Sequence, residues 1–205
     1  SRMTDELGIQ AVRIINYDAS NARADQTEPI IEIMTGAIEA KSSQEVQLTI
    51  EHEALHRVTA VNGWEESAEI RHAFAVLKGY SEQDLDTVMS EGGIPYDDFN
   101  QDYQNKIFFS FINEVNFFGK GGGHSRGNVS EFITSFTHTL LEPNALQRRL
   151  QGTVELHDDF GETTTTLTQS DKLQIIKGCE LTLEAMNQAT QRLTAAGKSM
   201  KKEQQ

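Results

Sequence analysis

Apolar residues recur at helical spacing along most of the chain between its three prolines, at positions 29, 95 and 143. Two early runs break that rhythm. AVRIINY (11–17) and PIIEIM (29–34) are rich in β-branched residues and bounded by Asp, Ser, Asn and Gly, which predicts strands. A helix is predicted over 43–61, with Ser42 or Ser43 as N-cap and Asn62-Gly63 as its stop. Further helices are predicted over 65–78, 82–90 after a Ser81 cap, 99–116, 129–141 and 171–194. EGGIPYDD and FFGKGGGHSRGN read as loops. GTVELHDDFGETTTTLT (152–168) alternates and turns at Asp-Asp-Phe-Gly, as a hairpin does, and the tail 197–205 is expected to fray. The pattern predicts an α+β fold, mainly helical with a small β-sheet, in a single domain over 1–205.

Size and charge narrow the partners. At 205 residues, with 37% hydrophobic positions and ten Phe, the chain can bury a real core. Its 31 acidic residues against 18 basic give a formal net charge of -13, which repels phosphate backbones and anionic lipid, so neither nucleic acid nor a membrane surface is expected as partner. There is no apolar run of about 18 residues and no charged-then-apolar leader, so a soluble protein is expected, its compartment left open. Ser1-Arg2-Met3 reads as a cloning remnant. Cys179 is the only cysteine, so a metal site would have to be built from His and carboxylates.

Such a site is suggested by TIEHEALHRV (49–58), which sets His52, Glu53 and His56 in the order H-E-x-x-H on the predicted 43–61 helix. Residues four apart share a helix face, so both imidazoles can reach one tetrahedral ion. Glu53 lies about 100° round the axis, where its carboxylate can take a proton from an attacking water. Val46, Leu48, Ile50, Leu55, Val58 and Val61 are spread around the helix, which is therefore expected to be buried on most sides.

A catalytic site needs a third protein ligand. The extended metzincin pattern is excluded by Thr59 and Asn62, which stand where Gly and His would be required. Glu65, Glu66 and Glu69 follow the Asn62-Gly63 turn and are expected on a solvated face, and His72 reads as part of an ordinary amphipathic helix. Glu131 shares the polar side of the 129–141 helix with Ser135, His138 and Glu142, opposite Val129, Phe132, Ile133, Phe136 and Leu140. Periodicity leaves two roles for it: a capping box with Asn128 on a surface helix, or a carboxylate facing His52 and His56. Glu114, among the aromatics of FINEVNFF, is the reserve candidate and fits equally as a core-edge residue.

Taken together, His52-Glu53-x-x-His56 and NVSEFITSFTHTLL resemble the gluzincin-type zinc metallopeptidases, in particular those related to anthrax lethal factor and the Pro-Pro endopeptidases. The resemblance covers roughly 29–61 and 124–150. It implies a zincin-like catalytic domain, Zn2+ as cofactor, a protein or peptide as substrate, and zinc held by His52, His56 and Glu131 with Glu53 as general base. Phe132 and Phe136 would pack behind Glu131, and His124 would stand where the family often has an oxyanion-stabilising Tyr. It also implies that the strand before the motif helix is an edge strand that pairs with extended substrate, and it points to bacterial toxins or effectors. Glu131 stands 75 positions after His56, a longer separation than is common in that group, so 62–123 reads as an insertion. Two other classes fit the residues: a helical adaptor or immunity-type protein with an incidental H-E-x-x-H, and a zincin that binds without cutting.

Overall fold

The computed structural model describes residues 11–15, 22–24, 30–34, 42–81, 83–84, 86–87, 105–117, 124–141, 145–153, 155–157 and 164–203. They form a mainly helical α+β arrangement with two small sheets. Strands β1 (Ala11–Ile15), β2 (Ala22–Ala24) and β3 (Ile30–Met34) make the first. β3 pairs in parallel with β1, Ala11 opposite Ile30, and antiparallel with β2, Ala22 opposite Ile33. The expectation of an open edge at 29–34 is therefore corrected: β3 is the central strand, and both of its hydrogen-bonding edges are occupied. The intervening strand was invisible in the pattern because Ala-Arg-Ala is too short to show alternation.

Helix α1 (Ser43–Val61) matches its predicted span. Ser42 Oγ accepts from the Glu45 amide at 3.3 Å, and Glu45 Oε2 accepts from the Ser42 amide at 2.8 Å, which closes a capping box. The helix stops at Asn62, and Gly63 follows with φ +69°, a left-handed conformation that a side chain would resist. Burial of α1 is less complete than its spread of apolar residues suggested. Glu51, His52, Ala54, Leu55 and Thr59 are buried, while Val61 is 73% exposed.

Helices α2 (Ala68–Leu77), α3 (Lys106–Phe117), α4 (His124–Gly127), α5 (Val129–Thr139), α6 (Ala145–Arg149) and α7 (Gln169–Glu203) complete the helical part. α2 starts later than the 65–78 pattern suggested because Ser67 caps it, accepting from the Ile70 amide at 3.3 Å. Ser81 caps the next turn through the Asp84 amide, and 83–84 and 86–87 are helical; 99–104 of the predicted 99–116 helix lie outside the described residues. EGGIPYDD also lies outside them, whereas the second predicted loop contains α4. The hairpin is present as β4 (Glu155–His157) paired antiparallel with β5 (Thr164–Thr166). α7 runs through Gly197 to Glu203, where 197–205 was expected to fray. Its Ala, Lys, Met and Glu are strong helix formers, and one glycine costs only about 1 kcal/mol against Ala.

The core is aromatic. Phe74 of α2, Phe108 and Phe109 of α3, and Phe132 and Phe136 of α5 are all wholly buried, with Phe74 stacked on Phe132 at 5.0 Å. α7 packs across α2 and α3, and α1 crosses α5. At Gly178 on α7 a Cβ would come within 2.5 Å of the Phe108 ring, so a residue without a side chain sets that approach. Lys78, at the C-cap of α2, is buried with its Nζ 3.2 Å from the Arg126 carbonyl. It ties α2 to the turn that leads into α5.

Candidate metal centre

Two helices supply the polar cluster, and each is positioned by its own cap. On α1, His52 and His56 stand one turn apart with ring centroids 4.7 Å from each other and planes nearly perpendicular. On α5, the side chain of Asn128 accepts from the Glu131 amide at 2.9 Å and starts the helix. Capping and ligand roles were alternatives for this motif in the sequence. Asn128 does cap, while the Glu131 carboxylate is turned to α1: Oε2 is 2.9 Å from His52 Nε2 and Oε1 is 3.2 Å from His56 Nε2. The stripe of Phe132, Ile133 and Phe136 faces the core, so the polar side of α5 faces the α1 histidines; it is covered, with Ser135 and His138 buried.

One ligand atom from each of His52, His56 and Glu131 lies within 4.8 Å of the others, and this group could hold a metal ion. Two donors each about 2.1 Å from a tetrahedral ion stand about 3.4 Å apart, and the Glu131 oxygens lie 2.9 Å and 3.2 Å from the two imidazole nitrogens. Two imidazoles and one carboxylate are a donor set that suits a divalent transition-metal ion. His52 is 2% exposed against 16% for the His56 side chain and 18% for that of Glu131, so solvent reaches the cluster at His56 and Glu131.

Electrostatics tie the cluster together. Burial opposes charging His56, but the hydrogen bond to Glu131 and the charges of Glu131, Glu53 and Glu65 outweigh it and raise the pKa above its ordinary 6.5. Next to it, Glu51 Oε2 lies 3.1 Å from His138 Nε2 and Oε1 accepts from Gln47 at 3.0 Å. The His138 contact, against the opposing effect of burial, lowers the Glu51 pKa.

Behind His56 is a group of residues that the sequence reading did not assign to the site. Ser130 Oγ and Thr134 Oγ1 each lie 3.1 Å from His56 Nδ1. Ser130 donates to Glu65 Oε1 at 2.9 Å, and Thr59 is 3.1 Å both from that oxygen and from Thr134 Oγ1. Glu65 was expected on a solvated face, and that is corrected: it is half-buried and turned inward. The signal that could have found this group is Thr59, three positions after His56, together with hydroxyls at 130 and 134 flanking Glu131 on two turns of a helix.

The remaining candidates are placed as follows. Glu53 is half-buried on α1, and its charge acts on His56. His124 opens α4, which packs on α5, and its side chain lies outside the described residues. Glu114 lines a separate surface cavity with Phe111, Arg148 and Arg149, away from the histidine cluster. His72 is exposed on α2. Among the described residues no helix is long and apolar enough to cross a membrane. Comparison of the chain with models of known protein families, with curated proteins and with solved structures finds no match.

Proposed function

We propose that this chain is a zinc-dependent endopeptidase of zincin type, with His52, His56 and Glu131 as the zinc ligands and Glu53 as the general base. The observation that carries the reading is the convergence of Glu131, 79 positions from His52, on Nε2 of both motif histidines. One carboxylate reaching Nε2 of both motif histidines is what a shared ion requires, and a proton-mediated clamp between the two helices is the reading it competes with.

Bound zinc supplies Lewis-acid polarisation of the peptide carbonyl and of the attacking water. The protein's own parts do the rest. His52 and His56, on one face of α1, and Glu131, from α5, would hold the ion, with the Glu131 carboxylate offsetting part of its charge. Glu53, next in sequence to His52, takes the proton of the attacking water and passes it to the leaving amine. The side accessible to solvent is where a peptide would enter.

Peptide cleavage tests the reading. The wild-type protein loaded with zinc should cut an unstructured protein substrate, and Glu53→Gln should keep its zinc and its melting curve while losing cleavage by orders of magnitude. Equal cleavage by Glu53→Gln would contradict the mechanism, and a zinc-loaded wild type that cuts no member of a diverse peptide library would leave a metal-binding protein without peptidase activity.

A further inference from the structure

The hydroxyl group of residues behind His56 has a definite proton polarity. An ionised Glu65 carboxylate can only accept hydrogen bonds. Ser130 lies 2.9 Å from Glu65 Oε1 and 3.1 Å from His56 Nδ1. With its single proton given to Glu65, the Ser130 oxygen faces the imidazole as an acceptor. A second path begins at the same carboxylate oxygen: Thr59 is 3.1 Å from it, Thr134 is 3.1 Å from Thr59, and Thr134 is 3.1 Å from His56 Nδ1. Thr59 also has the His56 carbonyl as an acceptor at 3.0 Å; whichever of the two takes its single proton, Thr134 donates to Thr59 and again presents an acceptor to the ring. Both paths end on Nδ1 with the same demand, a proton on that nitrogen.

We infer that Glu65 is a positioning residue for His56, fixing its Nδ1–H tautomer through Ser130 and through the Thr59–Thr134 pair, so that the Nε2 lone pair is held toward His52 and Glu131. The inference rests on the reading of His52, His56 and Glu131 as a metal site. Metal-ligating histidines generally give their other N–H to a carboxylate or carbonyl, which fixes tautomer and ring orientation. Here hydroxyls stand between the ring and the carboxylate. Thr59 and Thr134 are wholly buried, so bulk water does not compete for that path. Glu65 follows the Asn62-Gly63 turn, so the end of α1 folds back and brings the carboxylate beneath its own helix.

The test is zinc affinity, measured by competition with a chromogenic chelator on the full chain. Glu65→Gln, with little change of shape, replaces an acceptor-only carboxylate by an amide that can donate as well as accept, so the order of the protons is no longer imposed, and it should weaken zinc binding roughly tenfold to a hundredfold. Ser130→Ala with Thr134→Ala removes both hydroxyls that reach the ring and should weaken it as much. Adding Glu65→Gln to that double variant should change affinity by less than about twofold, because residues acting through one another are not additive. Thr134→Ala alone keeps the Ser130 hydroxyl on the ring and should hold zinc with near wild-type affinity, which separates the relay from mere packing at residue 134. Effects that multiply, or unchanged affinity in Glu65→Gln, would overturn the relay. His56→Ala serves as the control for the site itself. Should the wild type hold no zinc, or His56→Ala hold it equally well, the metal-site reading falls and the relay with it; zinc lost in His56→Ala but kept in Glu65→Gln removes the relay alone.

Discussion

Glu131 Oε2 lies 2.9 Å from His52 Nε2, while the other oxygen of the same carboxylate lies 3.2 Å from His56 Nε2. One side chain thus bridges two histidines on a neighbouring helix. Without a metal, protons must occupy those contacts, because a lone pair facing a carboxylate at such distances is repulsive. On the proposed reading, the bridge is therefore a place where protons and a metal ion would compete.

The competition gives a pH dependence with a defined sign. The folded-state pKa of His56 is raised, so its contribution to stability is fully present below the unfolded value of 6.5 and is lost as pH rises through the folded value. Metal-free protein should consequently melt lower at about pH 8.5 than at about pH 6, by more than Glu131→Gln does over the same interval. Zinc binding releases the proton, so zinc should raise the melting temperature more at the alkaline end. Thermal scans with and without chelator check both statements, and a metal-free wild type no more pH-sensitive than Glu131→Gln would contradict them.

The buried Glu51–His138 pair supports the helix crossing from the other side of His52, whose ring lies 6.4 Å from that of His138. Removing one partner leaves the other buried without that contact. Glu51→Ala should cost about 1.5–3 kcal/mol in a urea titration. Its lowered pKa means that the pair stabilises above the ordinary carboxylate value of 4.5 and that this is lost as pH falls through the folded value. Wild type and Glu51→Ala should accordingly converge in stability under acid, and a constant gap would argue against the pair.

Gly178→Ala places a methyl group against the ring of Phe108, in contact at 2.5 Å with a side chain that is wholly buried. Greater helix propensity favours alanine by about 1 kcal/mol, and overpacking opposes it by about 1–3 kcal/mol. The net effect should be destabilising, since Phe108 is locked among Phe109, Phe132 and Phe136. A higher urea midpoint for Gly178→Ala would show that α7 shifts without strain.

The elements were legible where local chemistry acts alone. The capping box of Ser42 and Glu45 and the Asn62-Gly63 stop delimit α1 without any knowledge of its neighbours. The orientation of α5 was not, because a polar helix face reads the same whether it meets water or another polar face; only packing of Phe132 and Phe136 into the aromatic core decides that Glu131 points to α1. Glu65 escaped for a similar reason. Its inward turn depends on Gly63 reversing the chain and on hydroxyls contributed by α5, and neither is a feature of Glu65's own surroundings. The central place of β3 depended on β2, three residues that carry no pattern.

The central claim is that a zinc ion joins α1 to α5, and zinc content measures it. After purification with added zinc and exhaustive dialysis, elemental analysis should find about one zinc per chain in the wild type and far less in Glu131→Ala, with both proteins folded by circular dichroism. No zinc in the wild type, or the same content in Glu131→Ala, would contradict it and leave the contacts of Glu131 with His52 and His56 as a proton-mediated clamp between two helices.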